Sequence, residues 1–269
     1  MANTGFQLEG NTPQLYEQFM VPRSTGPLAE QMLEHVSVED GDRVLDVACG
    51  TGIVTRLVAE RFGNIGSIVG MDLNAGMLDV ARANTPTTDI PIEWQQGDLC
   101  ALPFPDSSFN VVLCNQGMQF VPAKSVALGE IRRVLVSGGR LVFTVWSEVL
   151  PYQAALADAL RRHVSDASAV SLLAAYTLSD VETIQNLLDA AGFDDIKIQE
   201  LVITRREPSS ADSVLEFVAR LPIARDVAAV SEEARIAIGQ EVTDALQSYR
   251  EGDEFVMSVK SHLVQAQVA

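Results

Sequence analysis

Residues 43–52 read RVLDVACGTG, and this stretch decides the fold. Val44, Leu45 and Val47 make a short apolar run, as in a strand buried on both faces of a parallel sheet. Gly50 and Gly52 follow at once, and residues 53–62 continue as an amphipathic helix that Gly63 is expected to close. Strand, glycine turn and helix in this order form a cradle for a small molecule. The glycines let the backbone approach a ligand closely, and the first helical turn offers N–H groups that lack intrahelical partners.

The next strand, 67–71, leads into Asp72, twenty residues beyond Gly52. A carboxylate at that place is positioned to accept hydrogen bonds from the vicinal hydroxyls of a ribose. A nucleoside is implied, and two cofactor classes remain open: a nicotinamide dinucleotide and another adenosyl compound.

Composition narrows the partners. The chain has 269 residues, 47% of them apolar, enough for a packed interior. Nineteen basic against thirty-six acidic side chains give a net charge of -17, which opposes binding to nucleic acid or an anionic membrane surface. The opening MANTGFQLEG has neither a basic start nor an apolar core, and no apolar run approaches the roughly 20 residues needed to span a bilayer. A cytoplasmic location is expected. Cys49, Cys100 and Cys114 are odd in number and form no CxxC pair, so neither a disulfide framework nor a metal site is expected. Cys49 sits in the turn without a histidine near it in sequence, which favours a small packing residue over a nucleophile.

Along the chain, residues 1–40 read as a separate helical segment, with pieces at 14–20 and 28–36 punctuated by Pro22 and Pro27. Such a segment either lies across the mouth of the cradle, with Tyr16 and Arg23 as its ligand contacts, or serves as ordinary packing. From 41 to 147, strands (92–96, 109–115, 140–146) alternate with helices (75–84, 124–136), as in a doubly wound, Rossmann-like α/β sheet. Ligands of such sheets sit at the carboxyl ends of the strands. Residues 148–269 add helices at 152–164, 169–176, 180–191, 211–221 and 232–250, with strands at 195–204 and 255–268. Ser179 with Glu182 fits a capping box. The expected fold is therefore a seven-stranded, mostly parallel sheet with its last strand antiparallel, carrying helical cap insertions able to fold over the ligand edge.

Four stretches, LDVACGTG, MDLNAGML, QGDLCALPFPDSSFNVVLCNQGMQF and EIRRVLVSGGRLVFTVW, together resemble class I S-adenosylmethionine-dependent methyltransferases. The likeness is greatest to the small-molecule enzymes grouped with quinone biosynthesis. It covers residues 40–147 in unbroken order and fades beyond Trp146. The resemblance implies S-adenosylmethionine as cofactor. It places Asp46 and the turn of Ala48, Cys49, Gly50, Thr51 and Gly52 at the methionine end, and Asp72 on the ribose hydroxyls. Leu73 and Met77 would flank the adenine, with Asp98 accepting from its amino group and the Leu99 amide donating to its ring. Asn115 would stand near the methionine amino group, with Gln116 to Gln119 as the local wall. Ala48 departs from the pattern, standing where the commonest form of the loop has its first glycine.

Methyl transfer from a sulfonium is an in-line displacement in which the cofactor supplies the activation and the protein the alignment. No catalytic dyad is needed. Were a base required, His163 is the candidate among His35, His163 and His262, although a solvated helix-face histidine fits it as well. Trp146 and Tyr152, near the ligand edge after the fifth strand, either shape an acceptor pocket or serve ordinary packing, while Leu172, Leu173, Leu215 and Phe217 suggest a small, largely apolar acceptor. The alternatives are a nicotinamide-dependent oxidoreductase and a non-catalytic cofactor-binding protein.

Overall fold

The computed structural model describes residues 12–221 and 223–269; the expected N-terminal segment thus has residues 1–11 outside the described part. Helix α1 (Thr12–Leu15) runs through a π-helical stretch (Tyr16–Thr25) into α2 (Gly26–Glu34). Strands and helices then alternate: β1 (Arg43–Val47), α3 (Ile53–Arg61), β2 (Ser67–Asp72), α4 (Ala75–Ala83), β3 (Ile92–Gln96), β4 (Phe109–Asn115), α5 (Lys124–Val134) and β5 (Leu135–Trp146). The remainder comprises α6 (Pro151–His163), α7 (Asp166–Leu173), α8 (Val181–Ala191), β6 (Asp194–Pro208), α9 (Ala211–Val218), α10 (Ala224–Ala228), α11 (Glu232–Ala245), β7 (Arg250–Glu251) and β8 (Glu254–Gln267).

The sheet has the order β3-β2-β1-β4-β5-β8-β6. The seven expected strands form this path, and a two-residue eighth, β7, pairs with β8 beside it. β1 pairs in parallel with both β2 and β4, and β2 with β3 and β4 with β5 likewise, whereas β8 runs antiparallel to β5. Chain order reverses at β1, so the crevice outside the carboxyl ends of β1 and β4 is the switch point where ligands of such sheets bind.

The chain divides into two units. The first holds the described residues up to Ser147 together with Leu178–Leu201 and Ser261–Ala269. Alternation along β1 gives each sheet face a core: Leu45 and Val47 pack with Val112, Ile131, Phe143 and Leu188. Val44 and Asp46 point to the opposite face, and Asp46 bonds Thr55 of α3 there. The second unit holds Glu148–Thr177 and Val202–Lys260. Its buried core joins Leu156 and Leu160 of α6 with Val214 and Val218 of α9 and Ile238 and Val242 of α11. Tyr152 and Phe217 lie in this core, ring edge to face at 5.1 Å, so both serve packing within the unit.

Several boundaries differ from expectation. The N-terminal segment is continuous across Pro22, which lies inside its π-helical run. The guanidinium of Arg23 donates to the Phe19 carbonyl, and the Ser24 hydroxyl to that of Met20. Pro27 occupies the first turn of α2, where no intrahelical N–H is needed. α3 ends at Arg61 with an extended Phe62, so Gly63 supplies no left-handed cap. α8 is capped by Asp180, whose carboxylate accepts from the N–H and hydroxyl of Thr183, and not by a Ser179–Glu182 box. α5 stops at Val134 because β5 starts at Leu135, with a register shift against β4 that includes left-handed Gly138.

Candidate cofactor site

The turn after β1 is held by its neighbours. The Cys49 N–H donates to the Met71 carbonyl of β2 (3.0 Å), and the Gly52 N–H closes the turn on the Cys49 carbonyl (2.9 Å). Gly50 and Gly52 take φ of +56° and +83°, which side chains rarely adopt, and a Cβ on Gly50 would meet nothing within 4 Å among the described residues. The turn therefore presents bare backbone to open space. Beneath it lies the Trp94 indole: a Cβ on Gly52 would fall 2.3 Å from this ring, and one on Gly70 of β2 2.4 Å from it. Trp94 Nε1 donates to Thr85 Oγ1 at 2.9 Å, which fixes the ring in that slot. Ala48 adopts φ +52°, a left-handed conformation in which its Cβ is strained.

Two carboxylates flank the turn. Asp72 Oδ2 accepts from the Gly50 N–H and Oδ1 from the Asn74 N–H, both at 2.8 Å. Burial raises the Asp72 pKa, and these N–H groups oppose the rise. Asp46 is 1% exposed; its Oδ2 accepts from Thr55 Oγ1 (2.7 Å) and the Thr55 N–H (3.1 Å), tying strand β1 to the first turn of α3. Its Oδ1 is buried with no hydrogen-bond partner among the described residues, as is the Thr51 hydroxyl. Burial pushes the Asp46 carboxyl up to about 7; the bonds from Thr55 and the Arg56 charge pull down, and the Asp72 charge pushes up. Burial holds the Cys49 thiol well above its ordinary value and pushes Cys114 up to about 12, which disfavours the thiolate at both.

The end of β4 is lined by amides. Asn115 donates from Nδ2 to the Thr25 carbonyl (2.8 Å) and accepts at Oδ1 from Thr144 Oγ1 (2.7 Å). Gln116, buried and at φ +59°, donates from its N–H to the Thr144 carbonyl and from Nε2 to Ser261 Oγ. Gln119 Nε2 donates to Gln116 Oε1 at 3.0 Å. The N-terminal segment thus lies against this edge. Its Tyr16 phenol is raised above its ordinary pKa by burial, the Thr25 hydrogen bond opposing and the Asp72 charge adding.

The residues singled out from sequence divide as follows. Tyr16, Asp46, the turn and Asp72 come together through the contacts above, and Asn115, Gln116 and Gln119 form the amide edge. The Leu73 carbonyl accepts from Gln96 Nε2, and Met77 is buried at the start of α4. Asp98 Oδ1 accepts from the Cys100 N–H, with Leu99 buried between them. Arg23 packs over the Phe19 ring at 5.4 Å on its own segment. His163 lies in the second unit, its Nε2 2.8 Å from Glu241 Oε1. Thr55, Arg56, Asn74 and Thr144 were missed; a polar residue three places after Gly52 in an apolar helix, and an N-cap asparagine after Asp72, were the available signals. Among the described residues, no cluster of three or more His, Cys, Asp or Glu side chains is placed to hold a metal ion, and no helix is long and apolar enough to cross a membrane.

This arrangement suits a ligand bearing a cation near Asp46 Oδ1 and hydroxyls near Asp72, since an unpaired buried carboxylate oxygen is costly until a donor meets it. A methyltransferase domain model matches residues 45–143. The ubiquinone/menaquinone biosynthesis C-methyltransferase UbiE of Pectobacterium atrosepticum is 33% identical over 178 residues, covering 61% of this chain and 71% of that protein. The chain belongs to the class I S-adenosylmethionine-dependent methyltransferases. The family's cofactor is S-adenosylmethionine, which resolves the choice of nucleoside left open by the glycine turn. The same-named protein of Xanthomonas oryzae is 44% identical over 114 residues, covering 42% of this chain. The chain spans about half the length of that relative (45%). Among solved structures, YcgJ of Bacillus subtilis shares the fold with a TM-score of 0.59 and 20% identity, over 90% of this chain and 98% of that one.

Proposed function

We propose that this methyltransferase transfers the methyl group of S-adenosylmethionine to a small-molecule acceptor, with reduced quinone rings as the acceptor class. The observation that carries the cofactor site is the buried Asp46 Oδ1, which among the described residues lacks a donor, beside a turn where these residues leave open space at Gly50. Asp46 and the turn Ala48, Cys49, Gly50, Thr51 and Gly52 would hold the methionine end, and Asp72 the ribose hydroxyls. Leu73, Met77, Asp98 and Leu99 would enclose the adenine, while Asn115, Gln116 and Gln119 close the site at β4. The bound cofactor supplies a methyl group already activated by its sulfonium.

What the chain contributes is alignment and charge. When ionised, Asp46 and Asp72 set negative charge at two fixed places, and the Thr55, Gly50 and Asn74 donors hold each carboxylate in orientation. The Tyr16 segment and the amide network of Gln116 exclude water from the β4 end. The names of the relatives support the acceptor class, since both are ubiquinone/menaquinone biosynthesis C-methyltransferases.

Calorimetric titration with S-adenosylhomocysteine and with NADH, followed by assay of S-adenosylhomocysteine release on a panel of quinols, catechols, amines and thiols, tests the reading. Binding of the first nucleoside alone, with turnover on quinols, is expected. Preference for NADH would overturn the cofactor site, and turnover confined to amines or thiols would overturn the acceptor class.

A further inference from the structure

Arg56, on α3, has no role in the reading above, yet it joins two parts of the site. Its Nη1 donates to the Thr51 carbonyl in the glycine turn and its Nη2 to Glu17 Oε1 in the π-helical segment, each at 2.6 Å. The side chains of Arg56 and Glu17 are only 12% and 21% exposed, so solvent screens the pair little. The Arg56 N–H also bonds the Gly52 carbonyl at 3.0 Å, and the residue before it, Thr55, holds Asp46. At the other end of the same segment, the Thr25 carbonyl takes the Asn115 amide at 2.8 Å.

We propose that Arg56 is a positioning residue for the cofactor turn, and that its ion pair with Glu17 latches the Tyr16–Thr25 segment as a strap across the cradle. One guanidinium fixes the Thr51 peptide plane with one arm and the strap with the other, so strap opening and turn geometry are coupled. A ligand enters or leaves when Glu17 lets go of Arg56. The strap suits such movement, since its π-helical turns and Pro22 leave it with weaker internal bonding than an α-helix. Its Thr25 end is tied through Asn115, and at the Glu17 end the Arg56 bond is the tie to the cofactor turn.

The inference rests on the cofactor reading, so its test has one arm without the ligand. Hydrogen exchange of the 16–25 amides in the ligand-free protein, and stopped-flow kinetics with S-adenosylhomocysteine, are compared for wild type, Glu17→Gln, Arg56→Gln and the double variant. Faster strap exchange is expected in each single variant, with the double no faster than Arg56→Gln. Association and dissociation should both accelerate in Glu17→Gln, dissociation by roughly tenfold as a charge-assisted bond is lost. Arg56→Gln should in addition weaken equilibrium affinity, which a latch alone does not change; rescue by Arg56→Lys should be partial, because an ammonium holds either arm but not both. Additive effects in the double variant, or single variants that lower thermal stability while leaving exchange and both rates unchanged, overturn the latch. A wild type that fails to bind S-adenosylhomocysteine overturns the cofactor reading, and the exchange arm still judges the latch.

Discussion

Two buried carboxylates, one in each unit, are provided for in opposite ways. Glu207, 6% exposed, accepts at Oε1 from Nε of Arg205, which is 1% exposed, at 2.7 Å; Nη2 stands 2.7 Å from the same oxygen as an ion-pair contact outside hydrogen-bond geometry, and the guanidinium lies 5.5 Å from the Phe217 ring centre. Its cation is part of the chain, two residues away on the same face of β6. Asp46 is as deeply buried but, among the described residues, receives only the hydroxyl and N–H of Thr55, and one of its oxygens meets no donor there. A charge supplied with its counter-ion is architecture; a charge left short of one marks where a cationic ligand belongs.

The largest expected effect breaks the satisfied member of the pair. Glu207→Ala strands the Arg205 charge and should cost about 3 to 5 kcal/mol of stability, measured by urea unfolding. A loss under 1 kcal/mol would mean that water reaches Arg205, and the contrast would fail. Next, Asp72→Ala should weaken S-adenosylhomocysteine binding by about 2 to 4 kcal/mol in calorimetry, as charge-assisted bonds disappear. Unchanged affinity removes Asp72 from the ribose site.

Asp46 carries the pH dependence. Its carboxyl is pushed up to about 7 in the folded protein, so the ligand-free fold holds a proton that the unfolded chain releases near pH 4. Stability from this group is therefore present below pH 4 and lost as pH rises through about 7. Binding of a cationic ligand should run the other way, tightening as Asp46 ionises across that same range. Asp46→Asn should flatten the affinity profile and weaken binding at pH 8 by about 1.5 to 3 kcal/mol, while raising ligand-free stability there. A profile that keeps its slope in Asp46→Asn assigns the titration to another group. The smallest effect concerns Ala48: Ala48→Gly should relieve the left-handed strain against a cost in chain entropy, for a net gain of about 0.5 kcal/mol in thermal unfolding.

The sequence made β1, its turn, α3 and Asp72 legible because their signals are local: an apolar run, two glycines, an amphipathic period and an acid at the strand end. The same holds for the order of alternating strands and helices up to Trp146. What stayed hidden lies in bonds between distant residues. Glu17 and Arg56 are 39 positions apart, and Gln116 and Ser261 are 145 apart, distances over which no spacing rule operates. The early start of β5 was hidden for a related reason, since residues 135–139 read as helix end and turn until Phe109 of β4 pairs with Leu135 and Val268 bonds Gly138 and Gly139. Continuity of the N-terminal segment through Pro22 was unreadable because proline signals a break in an α-helix.

The lodging of Trp94 against Gly52 and Gly70 has a practical consequence. The protein contains two tryptophans, Trp94 and Trp146. With Trp146 replaced by phenylalanine, the remaining indole becomes a natural optical probe whose emission reports the posture of the loop above it, without any attached dye.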